Sequence, residues 1–154
     1  MNIIVVINLA VAGFLVGANV WFFFLQSPLL ISIMGRDKFV PIQMKLTKLL
    51  FKSLTVAAVL LVVFAWFSGG TQTIFGAVFA AASALVAHFF IIPRALKAGG
   101  RGRAETIADG GDHSVAKFAI EGSGPSAAFW HRMVVVFVVL ILIGALVNIG
   151  GTVR

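Results

Sequence analysis

Three long runs without a charged residue constrain this 154-residue chain more than any other feature. They extend from Met1 to Gly35, from Ser53 to Pro93 and from Met133 to Val153. About 20 apolar residues are enough for a helix to cross a bilayer, and the middle run is roughly twice that long. A polar, Gly-containing segment from Ser68 to Thr73 interrupts the middle run. The pattern therefore predicts four membrane-spanning helices.

The predicted fold is an all-α membrane protein, a four-transmembrane-helix antiparallel bundle that forms a single domain over residues 1–154. Hydrophobic runs and helix-breaking residues place the helices at about 3–27, 41–67, 74–93 and 128–149. The connection over residues 94–127 is rich in Gly and carries most of the acidic residues. We expect it to be a flexible basic cytoplasmic loop.

Basic residues lie almost entirely on one side of this arrangement. The two connections that hold them contain Arg36, Lys38, Lys45, Lys48 and Lys52, and then Arg94, Lys97, Arg101, Arg103, Lys117 and Arg132. An excess of Lys and Arg in short loops marks the cytoplasmic face of a membrane protein. We therefore expect an inner-membrane protein of a bacterium with both termini on the periplasmic side. The basic residues should meet anionic lipid headgroups rather than nucleic acid.

The first two helices carry signals at their cytoplasmic ends. Pro28 is expected to kink or end helix one. Asp37 is the expected N-cap of helix two, with Pro41 in its first turns. Lys38, Lys45, Lys48 and Lys52 share one stripe of helix two, which predicts an amphipathic start to this helix at the membrane surface.

Several kinds of chemistry lack the residues that they need. Cysteine is absent, so thiolate metal sites, disulfides and thiol nucleophiles are excluded. No carboxylate occurs in any predicted span, which argues against a zinc site and against hydrolytic catalysis at membrane depth. We therefore expect no catalytic residue, no metal and no enzyme activity.

Polar residues within the spans are few. Asn8, Asn19 and Gln26 share one face of helix one, where Gly13 and Gly17 permit close helix approach. On helix three a small-residue stripe of Gly76, Ala80 and Ala84 leads to His88. Small residues and side-chain amides are the usual means by which membrane helices pack together.

Two histidines are the main candidates for a binding site. His88 lies near the cytoplasmic end of helix three, and His131 lies in the first turn of helix four on the same side. Gln26, Gln43, Lys45 and Arg132 belong to the same predicted polar cluster at the cytoplasmic mouth. An ionisable side chain in a membrane segment is a functional candidate. The alternatives are hydrated interfacial histidines, a small-molecule or ion site, and ligation of haem b by both imidazoles.

The segment from Trp21 to Leu46 resembles a known family. It contains Trp21-Phe22-Phe23-Phe24, then Leu29-Leu30, Arg36, and Phe39-Val40-Pro41-Ile42-Gln43-Met44-Lys45-Leu46. Pro93-Arg94, Phe129 and His131 fit the same pattern. The chain is similar to the transmembrane protein 205-like family, also called domain of unknown function 4149. This resemblance implies a small four-helix membrane protein without an assigned reaction.

These observations leave three functional hypotheses. The first is a non-enzymatic membrane protein that handles a small solute. The second is an accessory subunit of a larger inner-membrane complex. The faces of small residues and the small number of polar residues in the spans favour this hypothesis. Its partners would be further copies of the chain or other membrane subunits. The third is a redox subunit that binds haem or a pigment through His88 and His131, although no cofactor is expected under the first two hypotheses.

Overall fold

The computed structural model describes residues 2–98 and 127–154, and these residues form helices without any strand. Helix α1 comprises Ile3–Met34, α2 Arg36–Ser68, α3 Thr71–Ala98 and α4 Ala127–Thr152. Each helix contains a stretch long and apolar enough to cross a membrane. The chain is therefore an integral membrane protein with four candidate spans, as the charge-free runs predict.

The helices pack in a closed ring. Helix α1 contacts α2 and α4, and α3 also contacts α2 and α4, so α1 and α3 lie diagonally across the bundle. The core between them is apolar and fully enclosed at Leu15, Phe51, Leu61 and Ile141. Large apolar side chains such as Phe14 and Trp66 are exposed on the outside. This distribution fits a bundle whose outer surface faces lipid.

Helices α3 and α4 make the closest contact in the bundle. A Cβ atom on Gly76 would lie 2.4 Å from the backbone nitrogen of Asn148, and one on Gly144 would lie 2.6 Å from that of Ala80. No real Cβ atom tolerates such distances, so glycine is required at both positions. The small-residue stripe of helix three is thus used inside the bundle, against α4.

Both prolines in the spans follow a π-helical turn. In α1 the π-turn is Trp21–Gln26, and in α3 it is Ala87–Ile91. Pro28 and Pro93 each stand two residues after the end of the turn. A proline lacks the N–H and clashes with the carbonyl four residues earlier, and a π-turn shifts the hydrogen-bond ladder past that obstacle. Pro28 therefore does not end helix one, which continues to Met34.

Helix α2 begins earlier than the expected Asp37 cap. Its N-cap is Gly35, whose φ of 74° is readily adopted only by glycine, and no side chain caps the helix there. The helix then runs through position 41 without interruption for 33 residues. At 1.5 Å per residue it is about 50 Å long, well beyond the ~30 Å hydrocarbon core. Its first turns therefore continue along the axis of the span.

The other helices also extend beyond the ranges predicted from the sequence. Helix α3 continues through Pro93 to Ala98, and α4 covers Ala127–Thr152. The flexible loop expected over 94–127 is thus shortened at both ends, and residues 99–126 lie outside the described part of the chain. The single-domain organisation stays a prediction.

Candidate functional site: the polar groups at the two ends of the bundle

We call the end of the bundle that carries the lysines the basic end. Lys38, Lys45, Lys48 and Lys52 are exposed on α2, and Arg94, Lys97 and Arg132 are exposed on α3 and α4. The Arg94 guanidinium lies 5.8 Å from the ring centroid of Trp130 and 5.8 Å from that of Phe90. Arg94 also donates a 3.1 Å hydrogen bond to the Phe90 carbonyl. This arginine therefore joins the end of α3 to the start of α4.

Gln43 is the predicted site residue with the clearest contact. Its Nε2 donates to Ser27 Oγ over 3.0 Å, and Ser27 Oγ donates to the Phe22 carbonyl over 2.7 Å. This chain of bonds ties α2 to the π-turn of α1. The neighbouring Gln26 is half-buried, whereas Lys45 is exposed. The structure thus brings Gln43 to the segment that holds Gln26.

His88 and His131 occupy different depths. The contacts of Ala80 with Gly144 and of Arg94 with Trp130 give one helix register. In that register His88 on α3 lies opposite Val136 on α4. His131 is five residues from Val136 toward the basic end, and five residues correspond to about 7 Å along a helix. His88 is half-buried and packs edge-on against Phe89 at 4.9 Å, whereas His131 is exposed.

Five buried side-chain polar atoms have no hydrogen-bond partner among residues 2–98 and 127–154. Two of them, Asn8 Oδ1 and Thr73 Oγ1, lie toward the end that holds the termini. The other three, Gln43 Oε1, His88 Nδ1 and Asn19 Oδ1, lie between the basic end and the middle of the bundle, and we call them the acceptor series. Asn19 itself is fully buried. A buried polar atom without a partner costs about 1–3 kcal/mol, so three of them in one half of a small bundle need an explanation.

The acceptor series follows the bundle axis inward. Ser27 contacts Gln43 in the outermost layer of the series. Phe23 packs on Phe51 with ring centroids 6.3 Å apart, and the contact between Thr55 and Ala84 places His88 at the level of that pair. Asn19 lies one turn deeper than Phe23. Successive members of the series are thus separated by about one helical turn, or ~6 Å of depth.

The opposite end of the bundle holds a connected network that we call the amide cluster, formed by Asn8, Thr73, Asn148 and Thr152. Asn8 Nδ2 donates to Asn148 Oδ1 over 3.0 Å and to Thr152 Oγ1 over 2.9 Å. Asn148 Nδ2 donates to the Thr73 carbonyl over 3.0 Å, and Thr152 Oγ1 donates to the Asn148 carbonyl over 2.8 Å. The cluster joins α1, α3 and α4 at the end where both termini lie.

Sequence reasoning found only part of the amide cluster. Asn8 was recognised as an intramembrane amide, but Asn148, Thr73 and Thr152 were not singled out. The available signal was Asn148, an amide in the most hydrophobic of the four spans. Its partners follow only from the register of α4 on α3, which a single sequence does not contain.

Two other features of the described residues bear on ligands. An open groove of about 390 Å³ between α1 and α2 is lined only by apolar residues, among them Ala10, Phe14, Ala57 and Leu60. It faces the lipid side and offers no polar contact. No group of three or more His, Cys, Asp or Glu residues in the described ranges is arranged to hold a metal ion.

The model of the family described as Domain of unknown function (DUF4149) matches residues 10–103, which include the basic residues of α2 and α3 and both π-turns. No curated protein and no solved structure matches the chain.

Proposed function

We propose that this chain, which belongs to the domain of unknown function 4149 family, binds and handles a small solute at the basic end of its bundle. The membership and the four apolar helices make it a small integral membrane protein. The observation that carries the proposal is the acceptor series of Gln43, His88 and Asn19. Buried polar atoms without partners mark places where a ligand supplies the missing hydrogen bonds.

The polarity of the two ends supports this location. At the amide cluster Asn8 Oδ1 and Thr73 Oγ1 have no partner in the described chain, but the other polar groups bond to one another and join three helices. Toward the basic end the series begins at Gln43, the outermost of its three members, and leads inward. A solute would thus enter at the basic end and stop at Asn19.

The proposed topology has antiparallel helices, the basic end in the cytoplasm and both termini in the periplasm of a bacterial inner membrane. It rests on the concentration of Lys and Arg at one end. The absence of cysteine permits a direct test. In intact cells, Val153→Cys should react with a membrane-impermeant maleimide, and Lys97→Cys should react only after the cells are opened. The reverse pattern would invert the topology.

The proposed solute site is tested by thermal stability. We expect at least one member of a chemically broad panel of small polar solutes to raise the unfolding temperature of the detergent-purified protein. The same solute should leave Asn19→Leu unchanged, because this variant lacks the innermost acceptor. Gln72→Leu, a change at an exposed amide at the opposite end of the bundle, serves as the control and should respond like the unchanged protein. If no solute separates the protein from Asn19→Leu, the proposal is wrong.

The accessory-subunit hypothesis keeps one structural argument. The small-residue face of α3 is occupied by α4, so it is not available to another protein. On α1, however, Gly13 and Gly17 are exposed, and a Cβ atom at either would meet no atom of the described chain within 4 Å. Purification in mild detergent followed by mass spectrometry tests this hypothesis. A stoichiometric second membrane protein would favour it over an autonomous solute handler.

A further inference from the structure

The chemical identity of two open atoms in the acceptor series, those of Asn19 and Gln43, is fixed by their neighbours. Asn19 Nδ2 lies 2.7 Å from the Leu15 carbonyl, which can only accept a hydrogen bond. The amide nitrogen must therefore point at Leu15, and the oxygen Oδ1 remains without a partner in the described structure. Rotating the amide by 180° would place two oxygens in contact.

The same logic applies to Gln43. Ser27 has one hydroxyl proton, and it is donated to the Phe22 carbonyl. Ser27 Oγ must then accept from Gln43, which has to present Nε2. The remaining atom, Oε1, is an acceptor. His88 Nδ1 joins them as an acceptor when Nε2 carries the ring proton.

The π-turns add backbone acceptors in the same half of the bundle. The Ser27 amide donates to the Phe22 carbonyl, and the Ile92 amide donates to the Ala87 carbonyl, each five residues back. If the five-residue spacing continued, the next amides to donate would be those of Pro28 and Pro93, but proline has no N–H. The carbonyls five residues before them, those of Phe23 and His88, therefore receive no hydrogen bond from these positions.

The charges at this end restrict the ligand further. Asp37 is the only acidic residue in 2–98 and 127–154, so no carboxylate within the described spans can offset the charge of a buried cation. The exposed lysines of α2, together with Arg94 and Lys97, would repel an approaching cation. An anion would be repelled by the acceptor atoms, which are the only open atoms in the series. An uncharged molecule with hydrogen-bond donors avoids both the cost of a buried charge and this repulsion.

We infer that the acceptor series binds a small uncharged molecule with several O–H or N–H donors, of the polyol or urea type. This inference rests on the proposed function and names the ligand class of the same site. Such a molecule would donate to Gln43 Oε1, His88 Nδ1 and Asn19 Oδ1 in turn as it moves inward. Each step exchanges hydrogen bonds to water for hydrogen bonds to buried acceptors.

The test uses the full chain in lipid nanodiscs and saturation-transfer NMR with four probes: glycerol, N-methylurea, methylammonium and acetate. We expect saturable transfer to glycerol or N-methylurea. Asn19→Leu should weaken that binding by roughly three- to tenfold, the effect of one lost hydrogen bond. Gln72→Leu, which removes an exposed amide at the opposite end of the bundle, is the matched control and should bind as the unchanged protein does.

The outcomes separate the ligand class from the proposed function. Transfer to methylammonium or acetate alone, lost in Asn19→Leu, would overturn the uncharged class and leave the solute site in place. Transfer to glycerol or N-methylurea that Asn19→Leu does not reduce would overturn the assignment of this site. No transfer to any probe, together with no stabilising solute in the thermal panel, would overturn both proposals.

Discussion

Asn8 Nδ2 lies 3.0 Å from Asn148 Oδ1, so the first and last helices of the described chain are joined by a buried amide pair 140 residues apart in sequence. Both side chains are fully buried. The pair is part of a directional network in which Thr152 accepts from Asn8 and the Thr73 carbonyl accepts from Asn148. Asn8 Oδ1 and Thr73 Oγ1 have no partner in the described chain, but the other polar groups of the cluster bond to one another across three helices. The atoms of the acceptor series, in contrast, are not joined to one another by any hydrogen bond of the described chain.

Asn148→Leu should destabilise the protein, whereas Asn19→Leu should not. The first change removes two interhelical hydrogen bonds and leaves the Asn8 amide short of a partner, at a cost of about 1–3 kcal/mol. The second change removes a buried oxygen that has no partner in the described structure, together with one hydrogen bond within α1 to the Leu15 carbonyl. Loss of the unpartnered oxygen offsets loss of that bond. Thermal or dodecyl-sulfate unfolding of both variants provides the measurement. Equal loss of stability would show that Asn19 has an essential structural partner.

Gly76→Ala should be strongly destabilising, and Gly17→Ala should be tolerated. The new methyl group at Gly76 would lie 2.4 Å from the Asn148 nitrogen, so α3 and α4 must separate. Forced overpacking of this kind costs about 1–3 kcal/mol. A Cβ atom on Gly17 would meet no atom of the described chain within 4 Å. The measurement is the unfolding temperature of the two variants, which carry the same Gly-to-Ala change at a packed and at an open position. Similar unfolding temperatures would contradict the tight α3–α4 contact.

Arg94→Ala should lower stability by about 0.5–1 kcal/mol, the usual size of a cation–π contact at an exposed site. Trp130 and Phe90 would both lose the guanidinium that packs near their rings. Lys97→Ala, three residues away and exposed, should have a smaller effect. Trp130 is half-buried, so its fluorescence reports on this contact in a background where Trp21 and Trp66 are replaced by Phe. A red shift of the native spectrum in Arg94→Ala alone is expected; its absence would argue against the contact.

Neutralising the lysine stripe of α2 should weaken the preference for anionic lipid. Replacing Lys38, Lys45, Lys48 and Lys52 with Gln removes four exposed charges at the basic end. Each such charge contributes about 1 kcal/mol to attraction by an anionic surface. Native mass spectrometry from mixed nanodiscs measures how many anionic lipids the protein retains. Retention that the fourfold variant does not reduce would argue against a headgroup-binding role.

The purified protein should be colourless if the solute hypothesis holds. Haem b ligated by His88 and His131 would give a Soret band in near-stoichiometric amount, and His88→Ala would remove it. The register of α3 on α4 already places the two imidazoles about five residues apart in depth, or ~7 Å. An absorption spectrum of the sample from mild detergent decides the question. A strong Soret band would replace the solute proposal with the redox hypothesis.

The sequence alone determined the number of spans and the composition of the basic end. A charged or unpaired polar group in lipid is costly, so charge-free runs near the 20-residue crossing length strongly limit where membrane spans can lie. The transmembrane protein 205-like resemblance of the Trp21–Leu46 segment is confirmed by the family match over residues 10–103. Hydrophobicity is a local property, and therefore a single sequence displays it.

Helix ends were less predictable. Pro28 is expected to kink or end helix one, and helix three is expected to end at Pro93; both helices continue past the proline. The reason is the π-turn before each proline, which depends on how the helix is supported by its neighbours and not on the proline alone. Gly35 likewise replaced Asp37 as the cap of α2, because a positive φ is available to glycine at the turn.

Only the tertiary structure decided which polar atoms are satisfied. Asn8 and Asn19 are the same residue type on the same helix, and both are fully buried. The oxygen of each amide has no partner in the described chain, but the amide nitrogen of Asn8 donates to Asn148 and Thr152 on another helix, whereas that of Asn19 donates within its own helix. The difference arises from the register of α1 against α4. Register results from packing over whole helix faces, so no local sequence pattern could have distinguished the two asparagines.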